Sequence, residues 1–193
     1  MKANLPLTYF QQKDVVSLAK DLLGKSLHTK INGVHTAGII TETEAYNGIY
    51  DKACHAFGNR RTKRTGSMYL IGGCAYVYLC YGIHSLFNIV SGPENNPTAI
   101  LIRSIEPTIG IGVMLKRRRR HKLDQSLCSG PGNLTKALGI GLHHDTIELN
   151  GPEIYLEEYI KANELNAIET TSRIGVDYAG KDAKLPYRFI LKK

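Results

Sequence analysis

No stretch of this 193-residue chain approaches the ~20 consecutive apolar residues that a membrane span requires. The N-terminus, Met1-Lys2-Ala3-Asn4-Leu5-Pro6, has no long apolar core and no small-residue cleavage site, so no secretory signal is read there. Cysteine is scarce: Cys54, Cys74, Cys80 and Cys128. Four would suit two disulfides, but a chain expected inside the cell, and of this size, needs no staples, so four reduced thiols are expected. Zinc ligands usually come in close pairs, whereas Cys74 and Cys80 are six apart and no His-x-x-x-His follows. The His-x-Glu and Pro-Cys-x-x-Cys strings of zinc deaminases are missing too. So are Gly-x-x-x-x-Gly-Lys-Ser/Thr, Gly-x-Gly-x-x-Gly and Gly-x-Ser-x-Gly, which argues against P-loop, dinucleotide-binding and α/β-hydrolase sites. Neither a metal nor a cofactor is expected.

What is present is an ordinary globular composition, 42% hydrophobic and 22% charged. One domain over residues 1–193 fits the length, and no repeat or low-complexity linker divides it. The net charge is +8, but residues 51–122 alone carry +9 and the rest of the chain −1. Two clusters dominate that segment: Arg60, Arg61, Lys63 and Arg64, and then the Lys116–Lys122 run with Arg117, Arg118, Arg119 and Arg120. A concentrated positive field attracts polyanions. The plain alternative is a solvated face with a frayed loop. Contacts from such clusters to nucleic acid go mainly to phosphates and bring affinity and salt dependence without sequence choice.

Val15, Leu18, Ala19, Leu22 and Leu23 recur at helical spacing, with Asp14 or Ser17 near the start and Gly24 as the stop. Residues 34–44 read as extended, and residues 75–91 as a β-hairpin with its turn over Gly82 to Ser85. Alternation puts Tyr76, Tyr78 and Cys80 on one face of that hairpin and Val77, Leu79 and Tyr81 on the other. Ala99 to Ile105 is a further strand, and Thr108 to Lys122 a basic helix with a start weakened by Gly110 and Gly112. Ser129 to Gly139 reads as a short helix with a Ser cap, Pro131 in the first turn and Gly139 at its end. Ile154 to Leu156, Arg173 to Tyr178 and Tyr187 to Leu191 are late strand candidates. With more strands than helices and no βαβ alternation, the class is α+β with a mainly antiparallel sheet.

Glu42 and Glu44 share a face of their strand by period two. They are either an exposed polar strand end or a general base beside Tyr46. His55 stands alone in an irregular segment. Tyr76, Tyr78 and Tyr81 serve equally as sheet surface and core or as a stacking platform for bases. His143-His144 is an unpartnered loop pair.

Taken together, an ordered set of strings resembles the 3-methyladenine (alkyladenine) DNA glycosylase family. They are Glu42-Thr-Glu-Ala-Tyr46, Asp51-x-x-x-His55, Tyr76-Val-Tyr-x-x-Tyr-Gly82 with Asn88, and Leu101-Ile-Arg103 with Glu106-Pro107. The C-terminal half adds Leu127-Cys-Ser-Gly-Pro131, Arg173-Ile-Gly-Val176, Ala179-Gly180 and Leu185-Pro-Tyr-Arg-Phe189. The resemblance spans nearly the whole chain. It implies a curved, open-barrel-like sheet with surrounding helices and a protruding hairpin. It also implies a monofunctional enzyme that excises alkylated or deaminated purines from duplex DNA without metal, cofactor or covalent lysine intermediate, flipping the nucleotide into a pocket. On this resemblance Glu44 is the general base for water attacking the sugar C1′, an effect on the order of 10²–10⁴-fold. Arg103 holds that water and the nucleotide, and the Ile174 carbonyl gives a further water contact. Tyr46, His55 and Tyr78 sandwich the purine, where stacking is worth ~1–3 kcal/mol per base. Tyr81 wedges into the duplex through the minor groove. Asn88 excludes the 2-amino group of guanine.

Ile83-His84 beside the wedge, the loop Gly92 to Thr98 and the Lys116–His121 run depart from the family's pattern. A monomer acting on duplex DNA, with no membrane contact, is expected. Its place is the bacterial cytoplasm at the nucleoid, or the nucleus if the source is eukaryotic. The competing reading is a non-catalytic nucleic-acid-binding module that uses the basic clusters and tyrosines. An acyl- or formyl-transferring enzyme lacks its nucleotide or folate signature, and a lyase-type glycosylase lacks a placed amine nucleophile.

Overall fold

The structure, a computed structural model, describes residues 4–159 and 167–192. Helix α1 (Val15–Asp21) forms where sequence periodicity places it, and Val15, Leu18, Ala19, Leu22 and Leu23 are all buried. Asp14 starts it: its carboxylate accepts from the backbone N–H groups of Val16 and Ser17 at 3.0 and 3.1 Å. Just past the helix end, Gly24 has φ +81°. The chain then enters β1 (Ser26–Ile31), turns through Asn32-Gly33, both at positive φ, and returns as β2 (Val34–Tyr46). Strand β1 has no counterpart among the sequence expectations.

The remaining strands are β3 (Ala75–Cys80), β4 (His84–Ser91), β5 (Thr98–Ile109), β6 (Ile154–Glu157), β7 (Ile168–Thr171) and β8 (Arg188–Leu191). All pair antiparallel in one eight-stranded sheet ordered β3-β4-β5-β2-β1-β6, with β7 on β8 and β8 on β2. The fold is therefore α+β, and the sheet curls into an antiparallel half-barrel. Strand β2 is the hub. Its one edge follows β5 from Ala37 to Tyr46, while its other edge pairs first with β1 and then, over Glu42–Glu44, with β8.

Three register shifts interrupt the β2–β5 ladder: Ala37 pairs with Ile109 but Gly38 with Pro107, leaving Thr108 extra on β5, and two compensating bulges follow. Ile40 pairs with Ile105 and Glu42 with Ser104, leaving Thr41 extra on β2; Thr43 then pairs with Ile102, leaving Arg103 extra on β5. A bulge re-aims the unpaired side chain, and Arg103 turns towards the carboxylates of β2. Elsewhere period two separates the faces. Ala75, Val77, Phe87, Ile89, Ile100 and Ile102 face the main core, where Leu18, Leu22, Leu134 and Leu138 pack on them. Tyr76, Asn88, Leu101, Glu44 and Tyr46 belong to the opposite parity. Each large apolar side chain buried in that core contributes about 1.5–3 kcal/mol relative to exposure.

Several elements differ from expectation. The hairpin turn lies at Tyr81-Gly82 rather than over Gly82 to Ser85: both residues take positive φ, 50° and 73°, and the Ile83 N–H donates to the Cys80 carbonyl at 3.1 Å. Strand alternation thus ends at Cys80, and Tyr81 takes its direction from the turn. Strand β5 runs on to Ile109, so the basic helix α2 covers only Ile111–Arg118 and begins after Gly110 at φ +73°. Helix α3 (Pro131–Leu138) is preceded by Gly130, not capped by Ser129; the Ser129 carbonyl instead accepts from the Asn133 amide at 2.8 Å. Pro131 in its first turn and Gly139 at its end, φ +80°, are as expected. Arg173 to Tyr178 is no strand: it is a loop leading into a 3-10 segment, Asp177–Lys184.

Candidate active site

Register places one row of residues across five strands. Tyr76 is opposite Asn88, Asn88 opposite Leu101, Leu101 opposite Glu44, and Glu44 opposite Arg188. Glu44 has no exposed surface. A carboxylate buried so completely needs donors, and three converge on it. Its Oε1 accepts from the Ile174 backbone N–H at 2.8 Å; its Oε2 accepts from the Tyr46 hydroxyl at 2.8 Å and faces the Arg103 Nη1 at 3.3 Å. Arg103 also donates through Nε to Glu42 at 2.9 Å, and the Arg188 Nε reaches the same Glu42 oxygen at 2.6 Å. Glu42 and Glu44 do share a face, but as half of a four-charge network, with Glu44 buried and the other three half-buried, rather than an exposed strand end. Burial works against the charge of Arg103, yet Glu44 and Glu42 outweigh it and hold its pKa above the ordinary value. Burial, and then the neighbouring Glu44 charge, push the Tyr46 phenol well up, so it stays protonated and donates.

A second buried pair holds the loop that supplies the Ile174 N–H. Arg173 grips Asp51 with both terminal nitrogens, at 2.5 and 2.9 Å, and also donates to the carbonyls of Ala45 and Asp182 at 2.9 and 3.1 Å. Asp51 accepts further from the N–H groups of Asn47 and Ala53. The Arg173 guanidinium also lies 4.9 Å from the Tyr46 ring centre. Asp51, Arg173 and Arg188 are site residues to which sequence reasoning gave no role. Ile174 was expected to act through its carbonyl, and the observed bond to Glu44 uses its N–H.

The three residues that donate to Glu44, namely Tyr46, Arg103 and Ile174, line a cavity of about 410 Å³, within the range of small-ligand sites. Tyr46, His55, Tyr78, Tyr81, Asn88, Arg103 and Ile174 all line it. A cavity of about 520 Å³ on the far side of Glu42 is larger but presents Glu42, Glu106 and Asp124 and no aromatic ring, so size does not choose between them. The Asn88 amide donates to the Tyr76 carbonyl at 3.0 Å, which fixes the side chain beneath the cavity. His55 stands edge-on to Tyr78, ring centres 4.8 Å apart. Its Nε2 faces the Arg64 Nη2 at 3.2 Å and its Nδ1 the Tyr76 hydroxyl at 2.9 Å. A guanidinium only donates, so Nε2 accepts and the proton sits on Nδ1. Burial, then Arg64 and Arg60, push the His55 pKa down to about 4, so the ring is neutral near pH 7.

At the mouth, Tyr81 is 90% exposed and Ile83 73%. The hairpin is braced by α3: the Thr135 hydroxyl donates to the Ser85 carbonyl at 2.6 Å. The basic residues divide by position. Arg60 and Lys63 are exposed, and Arg61 lies 3.8 Å over the Tyr69 ring while donating to Asn95 at 2.9 Å. Arg64 is exposed as well, and its guanidinium also lines the cavity. In the second cluster Arg117 donates to the Ala137 carbonyl at 3.1 Å, Arg118 through Nε to the Leu127 carbonyl at 3.2 Å, and Arg120 to the Ser126 hydroxyl at 3.1 Å. Arg119 and Arg120 are exposed. Among the described residues no group of His, Cys, Asp and Glu could hold a metal ion, and no helix is long and apolar enough to cross a membrane.

Comparison with known proteins places the chain among the DNA glycosylases, enzymes of DNA repair. Residues 9–193 match the family described as Methylpurine-DNA glycosylase (MPG), and the chain belongs to that family. Proteins of Chlamydia felis and Chlamydia pneumoniae, each named "Putative 3-methyladenine DNA glycosylase", are both 47% identical to it, over 188 and 184 residues. These alignments cover 97% and 95% of this chain and 95% and 92% of the relatives. A protein of the same name from Clostridium acetobutylicum is 41% identical over 190 residues, 95% of this chain and 92% of the relative.

Proposed function

We propose that this protein is a monofunctional purine DNA glycosylase: it flips an alkylated or deaminated purine out of duplex DNA and hydrolyses the N-glycosidic bond with a water activated by Glu44. The observation that carries this reading is the seat of Glu44, fully buried and held by three donors, Tyr46, Arg103 and Ile174, that themselves line the aromatic cavity. Oε2 is occupied by Tyr46 and Arg103; Oε1 has one partner, the Ile174 N–H, and keeps a lone pair to accept from water. The water oxygen bonds to C1′ as the C1′–N bond breaks. Glu44 takes the water proton, and the purine leaves with the bonding electron pair. Developing positive charge on the sugar is stabilised by the same carboxylate. The network of Arg103 with Glu42 holds Glu44 aimed before substrate arrives.

Tyr46, His55 and Tyr78 stack on the extruded purine, and Asn88 meets its 2-position edge. Tyr81, at the exposed hairpin tip, fills the gap left in the duplex, offsetting an unstacking cost of a few kcal/mol. Arg60, Arg61 and Lys63, with Arg117, Arg118, Arg119 and Arg120 from the second cluster, contact phosphates. The protein acts as a monomer, in the compartment that holds the chromosome. Substituting Glu44→Gln tests the reading: excision falls by about 10²–10⁴-fold while binding to damaged duplex persists. Excision at the wild-type rate would remove Glu44 from its role. Binding without release of any purine by wild type would leave a non-catalytic nucleic-acid-binding module.

A further inference from the structure

The charges around the cavity do not cancel. Glu42 and Glu44 are met by Arg103 and Arg188, and Asp51 by Arg173. Arg64 is the exception: among the described residues it meets no carboxylate. Its guanidinium carbon lies 4.5 Å from the Tyr78 ring centre, and its Nη2 is 3.2 Å from the His55 Nε2. It therefore touches two of the rings that the proposed function assigns to the purine sandwich, and it lines the same cavity. A guanidinium over a ring draws on the negative quadrupole of that ring, the same attraction that a cationic ligand would use. His55 adds no compensating charge, because its ring is neutral near pH 7.

We propose that Arg64 sets the charge selectivity of the base pocket, disfavouring purines that carry a formal positive charge and favouring neutral ones. N3- and N7-methylated purine nucleosides are cationic; hypoxanthine and ethenoadenine nucleosides are neutral. A cationic purine stacked on Tyr78 meets Arg64 at a few ångströms, while the carboxylates nearby are already paired with Arg103, Arg188 and Arg173. A neutral purine meets no such repulsion, and its carbonyl or ring nitrogens can accept from the guanidinium fork. This inference rests on the glycosylase reading above.

The test is single-turnover excision from duplexes of one sequence carrying either hypoxanthine or 7-methylguanine, with wild type, Arg64→Met and Arg64→Lys. The readout is the ratio of the two excision rates. Comparing that ratio between variants cancels the intrinsic lability of the cationic nucleoside. Arg64→Met raises the 7-methylguanine to hypoxanthine ratio by about tenfold, the effect expected of removing one near, partly screened like charge. Arg64→Lys, which keeps the charge, stays within a few-fold of wild type. If Arg64→Met slows both substrates equally and leaves the ratio unchanged, Arg64 serves a phosphate and the selectivity proposal is overturned while the glycosylase reading stands. If wild type releases neither base, the glycosylase reading falls and this inference with it.

Discussion

Removing Asp51 probes the link between the buried ion pair and the site. Its carboxylate is 3% exposed and accepts from both terminal nitrogens of Arg173 and from two backbone N–H groups. In Asp51→Ala the guanidinium keeps only the Ala45 and Asp182 carbonyls, and its buried Nε already lacks a partner. Stranding one member of a buried ion pair costs about 3–5 kcal/mol. For a chain of this length each kcal/mol lowers Tm by roughly 2–4 °C, so a fall of about 6–20 °C is expected in a thermal scan. Single-turnover excision falls as well, because the loop that Arg173 anchors carries the Ile174 N–H bonded to Glu44. Replacing both partners, Asp51→Ala with Arg173→Met, removes the stranded charge and recovers part of the lost stability. A Tm within 2 °C of wild type for the single variant refutes the anchoring role; a double variant as unstable as the sum of the singles refutes the pairing argument.

Protonation of His55 links stability to pH. Its folded-state pKa, about 4, lies below its ordinary value near 6.5. The unfolded chain therefore takes up this proton first, and the contribution of His55 to stability is complete above pH 6.5 and drains away as pH falls towards 4. The loss is on the order of 3 kcal/mol, read as the difference between the urea-unfolding pH profiles of wild type and His55→Gln; superimposable profiles contradict it. Gly38→Ala should lower Tm, since a Cβ there would sit 2.7 Å from the Glu106 carbonyl oxygen and 2.8 Å from the Ile105 Cδ1. Overpacking against backbone costs about 1–3 kcal/mol. An unshifted thermal transition would show that the β2–β5 ladder gives way freely at this bulge.

The parts of the fold written in local sequence were legible. Helix α1 carries its apolar stripe and its Asp14 cap together, and β2, β4 and β5 carry their apolar and β-branched runs. The shared face of Glu42 and Glu44 follows from period two, because the bulge at Thr41 falls before both. Strand β1 was not legible: His28, Thr29 and Lys30 give it no clean alternation, and burial comes from its neighbours β2 and β6. Arg173 to Tyr178 has the residues of a strand, but Gly175 at φ +75° breaks it, and its backbone serves Glu44 instead of a ladder. The turn slipped to Tyr81 because an aromatic residue gives little sign of a positive φ. Pairings between distant positions, Asp51 with Arg173 and Glu42 with Arg188, leave no local signature at all.

The most direct test of the account is single-turnover excision from a duplex with one hypoxanthine, wild type beside Glu44→Gln, with abasic product revealed by alkaline cleavage. The account predicts alkali-dependent cleavage at the lesion by wild type and a loss of about 10²–10⁴-fold in Glu44→Gln, with lesion binding retained. Equal excision by the two proteins, or strand cleavage without alkali, would contradict it.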